Sequence, residues 1–492
     1  MALTEAFYND IIKQKAREDK QSVKLSFSLG FMKGANNLGM NIDRKSKKPI
    51  YQQIYDNITD EIIHGYLIPE ERLKSRRALS CELGVSPQTV ESAYQKLAAD
   101  GFVISRLGSG YYVSSDRVWN EEERVMKSRL YNFSTNGVET SKLPFAEWSK
   151  LMRITLKENT ALFQHGEKAG EWCLRKSIRR YLFRTQNIKC RTEQIIIGPG
   201  AEDLLRDIFE LLAPDSKILM NNYYNYRVNA VAKNTRNTIE YITSGENGID
   251  IDELMEHRNG VLYQKPTHDL PTGITLTREK REELLKWIGN GRYIIEDSSD
   301  NDYQYGSREK TLWELNDGKN IIYLGSFSGT IAPSMKIGYI IAPEEIVKLW
   351  FEKKEYYTNR VSRIEQVTLS RFIDLGYYEK HVNYMRRVYM EKTLTLKTAL
   401  ENSPIRKNVT VKGDSAGMFC YMHLNINISE KRANQILTEN RINISPLSGS
   451  VFDKSRAVFP ECSYTIGYGE LTNSQIREGI ALVSDLLKDY AV

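Results

Sequence analysis

Ser86, Gln88 and Thr89 fall within one turn of chain around Pro87. A serine N-cap with proline in the first turn is a strong helix-start signal, so the three side chains are expected at an open helix N-terminus. Hydroxyls and an amide placed there suit the base edges and phosphate oxygens of a nucleic acid. Arg77, a little earlier, can pair with a phosphate. Arg106, beside the turn Gly108-Ser-Gly110, can enter an adjacent minor groove.

The elements that would position these groups are legible around them. Ile54, Ile58 and Ile62 recur at helical spacing in a segment, Tyr51 to Gly65, that closes on glycine. Leu73 to Gly84 reads as a second short helix with a glycine stop. The helix opened by Ser86 runs through Val90, Ala93, Tyr94 and Leu97 to near Gly101, and Phe102 to Val113 reads as strand, glycine turn, strand. Three helices and a β-ribbon make the winged helix-turn-helix plan.

This stretch resembles the GntR family of regulators, whose pattern runs roughly R-L-P-S-x-R-x-L-A, then L-G-V-S-x-x-T-V, then a G-S-G-T wing. Lys74 stands for the usual proline and Tyr111 for the usual threonine, while the phosphate-facing arginine position is kept as Arg77. The resemblance adds Ser75 and Gly108 to the DNA-facing set. Asp56, Asp60, Glu61, Glu70 and Glu71 offset much of the basic charge, so binding should rest on dimerisation and specific contacts rather than bulk attraction. Ahead of this module, Glu5 to Lys20 suits an amphipathic helix, and Asp43-Arg-Lys-Ser-Lys-Lys48 reads as a basic approach to DNA.

At 492 residues the chain calls for two or more domains. Its 41% hydrophobic and 27% charged content is that of a soluble globular protein, and a net charge of +6 permits nucleic-acid binding without demonstrating it. No run of about eighteen apolar residues suggests a membrane span, and the acid-bearing N-terminus does not read as a secretory signal. Five scattered cysteines form no C-x-x-C pair, which fits reduced thiols in a cytoplasm, and six scattered histidines show no metal-ligand spacing.

Beyond a charged connector, helical stretches alternate with apolar runs at Gln194–Ile197, Lys217–Met220, Tyr293–Glu296 and Ile321–Leu324, the pattern of a doubly wound α/β domain. The motifs Leu143-Pro-Phe-Ala-Glu-Trp148, Gly170 with Leu174-Arg175, Gly198-Pro-Gly-Ala201, Pro266-Thr-His268-Asp-Leu-Pro271-Thr-Gly273, Glu296-Asp297, Gly325-Ser-Phe-Ser-Gly329-Thr330 and Gly417-Met418 follow in order. Behind the first module, this order resembles the MocR branch of GntR regulators. Their second domain is similar to fold-type I aminotransferases that use pyridoxal phosphate (PLP).

The resemblance implies a role for each position. Asp297 matches the carboxylate that pairs with the pyridine nitrogen. Gly200, Ala201, Ser326 and Ser328 match parts of a phosphate cradle, with His268 nearby in the matched Pro266 motif. Lys336 replaces an arginine, keeping the charge and losing the fork. Pro199 removes one N–H. Asn225 replaces a ring-stacking tyrosine, His165 a tyrosine from the neighbouring subunit, Ser299 an aromatic, and Thr465 the arginine that clamps a substrate carboxylate. Most tellingly, Gly329 stands where the family carries its Schiff-base lysine. Lys265 and Lys336 are not on the right loop to replace it.

The expected organisation is an extension over 1–47, a GntR-like DNA-binding domain over 48–114, a linker over 115–130, and an aminotransferase-like α/β/α domain over 131–492. The expected protein is a cytoplasmic homodimer that binds a double-stranded DNA operator. No catalytic residue and no covalent PLP are expected. Non-covalent PLP, a preformed PLP–amine adduct or an unrelated small-molecule effector would fit the pocket. The alternatives are a PLP-dependent aminotransferase with a fused DNA-binding head, and a ligand-blind dimer.

Overall fold

A computed structural model gives the fold. It describes Ile42, Arg44 and, from Lys48 onward, all of the chain except residues 64–66, 68–69, 107–108, 115–130, 136, 159, 213–216, 224–225, 236, 290 and 306–307. The expected helix over Glu5 to Lys20 and the connector lie outside the described residues. The chain divides into two compact units, Met1–Arg124 and Val125–Val492, each described by itself.

In the first unit, α1 (Ile50–Ile63), α2 (Arg76–Leu83) and α3 (Pro87–Ala99) precede an antiparallel ribbon of β1 (Val103–Arg106) and β2 (Gly110–Val113). The helical repeat of Ile54, Ile58 and Ile62 buries one face of α1 in a common core with Val90, Ala93 and Leu97 of α3. Leu79 from α2 and Val103 and Val113 from the ribbon close that core. The second helix starts three residues later than its sequence suggests. Ser75 is extended, and its Oγ accepts the Ala78 N–H at 3.2 Å, so the helix cannot extend back to Leu73. Gly84, at φ 62°, ends it in the left-handed conformation.

The second unit is built on a seven-stranded sheet. In chain order its elements include α4 (Phe145–Glu158), α5 (Trp172–Gln186), β3 (Ile195–Gly198), α6 (Ala201–Leu212), β4 (Lys217–Asn221), α7 (Tyr226–Lys233), β5 (Thr238–Ile242), β6 (Val261–Gln264), α8 (Arg278–Trp287), β7 (Tyr293–Asp297), β8 (Ile321–Ser326) and β9 (Gly338–Ile341). The strand order is β3-β9-β8-β7-β6-β4-β5, all parallel but for β9. Buried on both faces, β3, β6 and β8 read as nearly continuous apolar runs rather than alternating ones. Helices α9 (Glu344–Lys353), α10 (Arg363–Asp374) and α11 (Tyr377–Glu401) follow. A smaller antiparallel sheet holds β10 (Val409–Lys412), β11 (Phe419–Leu424), β12 (Ser445–Pro446) and β13 (Ser463–Gly467) in the order β10-β11-β13-β12. No helix among the described residues is long and apolar enough to cross a membrane.

The register decides where chemistry can gather. Gln264 lies beside Glu296, and Asp297 beside Leu324. The loops leaving β6, β7 and β8 therefore emerge side by side at the carboxyl edge of the sheet, where parallel α/β folds place ligands.

Candidate functional site

The helix start on the first unit is built by its cap. Ser86 Oγ accepts the Thr89 N–H at 3.1 Å and lies 2.8 Å from Thr89 Oγ1. Both hydroxyls are thus engaged with each other, while Gln88 projects exposed beside them. Neighbouring cations have acidic partners: Lys74 pairs with Glu82 at 2.7 Å, Arg76 with Glu91 at 3.0 Å, and Arg106 with Glu70 while lying over the Tyr112 ring. The Arg77 guanidinium is exposed and has no ion-pair partner among the described residues. Exposed ion pairs contribute at most about 1 kcal/mol, so a phosphate can displace Glu70 from Arg106. Gly108 lies outside the described residues.

One basic residue ahead of α1 does something other than approach DNA. Arg44 Nη2 donates to Gly84 O at 2.8 Å, capping the carbonyl end of α2. A cation on unsatisfied C-terminal carbonyls is favoured by the helix dipole.

On the second unit, a cavity of about 440 Å³ opens at the carboxyl edge of the large sheet. Gly329, Ser328, Lys336, Lys265, Asp300 and Thr465 line it, with Leu270, Met418 and Phe419 supplying apolar wall. Gly329 needs no special backbone, and a Cβ there would meet nothing nearer than Asp300 Oδ1 at 3.9 Å. Lys265 Nζ donates to Asp300 Oδ2 at 2.5 Å. His268, fully buried at φ 57°, bonds Phe419 O through Nε2 at 2.8 Å and brings Nδ1 to 3.4 Å from Asp300 Oδ2.

Electrostatics follow from this crowding. Burial works against the Lys265 ammonium, but Asp300, Asp297 and Asp269 outweigh it and raise its pKa. Burial alone would raise Asp300, yet Lys265 and His268 hold it well below the usual carboxylate range. Asp269 is pushed up to about 7, chiefly by burial, although Lys265 and the Asn221 amide at 2.6 Å resist the shift.

The expected ligand residues divide into two groups. Ser328 and Lys336 line the cavity. A Cβ on Gly200 would lie 3.9 Å from Lys336 Cδ, and Ala201 is the first residue of α6. Ser326 Oγ accepts the Ser328 N–H at 3.2 Å, and Ser328 Oγ donates to Met335 O at 2.7 Å. His268 and Asp297 are buried outside the cavity lining. Asp297 Oδ2 accepts from Tyr263 Oη at 2.5 Å, and Oδ1 accepts the Ser299 N–H at 3.0 Å and the Ser299 hydroxyl. Thr465 Oγ1 donates to Pro271 O at 2.7 Å. Sequence reasoning missed Asp300 and set Lys265 aside. The available signal was their shared position just beyond neighbouring strands.

Both units match known families. Residues 50–113 match the bacterial regulatory proteins of the gntR family, and residues 129–459 match aminotransferase class I and II. The chain belongs to the GntR-type helix-turn-helix transcriptional regulators that carry a class I and II aminotransferase domain. It is 30% identical to YhdI, an HTH-type transcriptional regulator of Bacillus subtilis, over 89% of this chain and 96% of that one. It is 29% identical to YdeL of the same organism (89% and 97% covered) and 25% identical to the probable rhizopine catabolism regulatory protein MocR of Rhizobium meliloti (89% and 94%). Among solved structures it is similar to an archaeal alanine:glyoxylate aminotransferase, with a TM-score of 0.64 at 22% identity over 73% of this chain and 91% of that one. It also resembles LysN, the α-aminoadipate aminotransferase of Thermus thermophilus, with a TM-score of 0.64 at 22% identity over 76% and 95%. These structural likenesses show a fold-type I aminotransferase architecture for the second unit.

That fold family implies PLP, and the only amines lining the cavity among the described residues are those of Lys265 and Lys336. Gly329 offers no amine to the cavity, and Asp297, which accepts from Tyr263 and Ser299, keeps further carboxylate lone pairs that could accept a pyridine N–H.

Proposed function

We propose that the protein is a cytoplasmic, homodimeric transcription regulator that binds double-stranded DNA through its first unit and uses the aminotransferase-like unit without lysine-dependent catalysis. The observation that carries the DNA reading is a GntR-type unit that holds both the capped, exposed start of α3 and an exposed Arg77 on α2 with no ion-pair partner among the described residues. Ser75, Ser86, Gln88, Thr89, Arg106 and Gly108 complete the proposed DNA-facing set. Arg77 and Arg106 supply phosphate and minor-groove charge, and Gln88 supplies an amide for a base edge.

For the second unit, Gly329 takes the place of a Schiff-base lysine. Aminotransferase turnover then loses the amine that would anchor a cofactor and shuttle protons. The unit serves dimerisation and holds a small-molecule effector non-covalently, with Ser328 and Lys336 on the ligand. Dimerisation would set two winged helices on a two-part operator, and an effector would bias one arrangement of them.

DNA selected from a randomised pool by the full-length protein tests the first half of this reading. Recovery of a two-part consensus is the expected result, and recovery of no consensus refutes it. Incubation with PLP followed by borohydride tests the second half. A pyridoxyl group fixed to a lysine would overturn it.

A further inference from the structure

The cavity beside Gly329 keeps an amine, supplied from a different strand. Lys265 follows β6, Asp300 follows β7 and Gly329 follows β8, so three adjacent loops meet there. Lys265 leaves only 11% of its side chain exposed, and Asp300 14%. An ammonium carries three donors. One is used at 2.5 Å on Asp300, and no other acceptor engages Lys265 among the described residues. Its remaining donors are therefore available to the cavity that Lys265 lines.

Among the residues lining this cavity, three cations, Arg227, Lys265 and Lys336, face one carboxylate, Asp300, with Asp297 and Asp269 acting on Lys265 from outside the lining. Arg227 is shared with Glu202 at 3.6 Å, whereas Lys336 has no ion-pair partner among the described residues. Phe419 and Tyr226 bring aromatic rings to the lining, and Leu270 and Met418 add aliphatic wall. Thr465 spends its hydroxyl on Pro271 O and brings no charge for a carboxylate.

Resting on the effector reading above, we propose that Lys265 is a specificity-determining cation of this pocket. It binds an anionic oxygen of an aromatic phosphomonoester by ion pairing, with no covalent bond to the ligand. Asp300, braced from below by His268, fixes the ammonium in place and keeps it protonated, which denies it the free electron pair an imine would need. Gly329 leaves the space beside that pair open.

The test titrates full-length protein with two probes, PLP and pyridoxine 5′-phosphate, which share phosphate and ring hydroxyl but differ in the aldehyde. The expected result is that both bind within about threefold of each other, since an ion pair does not need the carbonyl. Lys265→Met should weaken both by roughly tenfold or more, the loss of a charge-assisted contact. The double variant Lys265→Met with Asp300→Asn avoids a stranded buried carboxylate and should show the same loss. Unchanged binding in both variants, a strong preference for the aldehyde with a borohydride-fixed adduct, or binding of neither probe would each overturn the proposal. Binding of selected DNA by the same samples separates the two failures. If DNA binding persists, only the ligand assignment is lost; if wild-type protein binds no DNA, the regulator reading falls.

Discussion

Gly417 lies so close against His268 that an added methyl group would overlap the imidazole. Its φ of 71° also belongs to the left-handed region that favours glycine. The His268 ring is thereby pressed between Gly417 and Phe419, with its Nδ1 edge toward Asp300. Gly417→Ala should destabilise the second unit by about 1–3 kcal/mol through overpacking and backbone strain. Urea denaturation checks the stability, and an equal midpoint for wild type and variant would refute the contact.

Gly329 is the opposite kind of glycine. Nothing lies within ordinary van der Waals contact of a Cβ there except Asp300 Oδ1 at 3.9 Å, and the backbone is accessible to any residue. Gly329→Ala should be neutral or stabilise by up to about 1 kcal/mol, because alanine restricts the unfolded chain. Thermal unfolding reads this directly. A marked destabilisation would mean that the fold, rather than the pocket, requires glycine.

The exposed Arg77 makes a prediction about salt. Arg77→Ala should weaken binding to selected DNA and lower the slope of log affinity against log salt by about one unit. Arg76, held by Glu91 at 3.0 Å, should matter less. Titrations at several salt concentrations compare the two, and an unchanged slope in Arg77→Ala removes that residue from the phosphate contacts.

Two buried carboxyls make stability depend on pH. Asp269 and Glu296 are both pushed up to about 7, first by burial. A raised folded pKa means the fold favours the protonated form. The resulting stabilisation is complete below about pH 4, near the unfolded values, and is lost as pH rises through about 7. Asp269→Asn should remove its share of that loss, flattening the fall in urea midpoint between about pH 4 and 7. A variant with the wild-type slope would place the titration elsewhere.

Much of the architecture was legible because local signals agreed with global ones. The Ser86-Pro87 start, the glycine stop at Gly84 and the apolar runs of β3, β4, β7 and β8 all appear where their residues predict them. The cavity was less legible. Lys265 and Asp300 meet only because β6 and β7 are neighbours in register, a relation that no local spacing encodes. The second helix, expected from Leu73 to Gly84, begins only at Arg76. Apolar periodicity continues through Leu73, but Ser75 breaks the helix by turning its hydroxyl onto Ala78 N.

The bond from Arg44 to Gly84 O has a practical consequence for dissecting the protein. Glycine at 84 leaves just enough room for the guanidinium, since a Cβ would come within 3.1 Å of Nη2. A fragment cut to begin at residue 48 would keep α1, α2 and α3 yet leave the carbonyl end of α2 to water. The smallest faithful fragment begins ahead of Arg44.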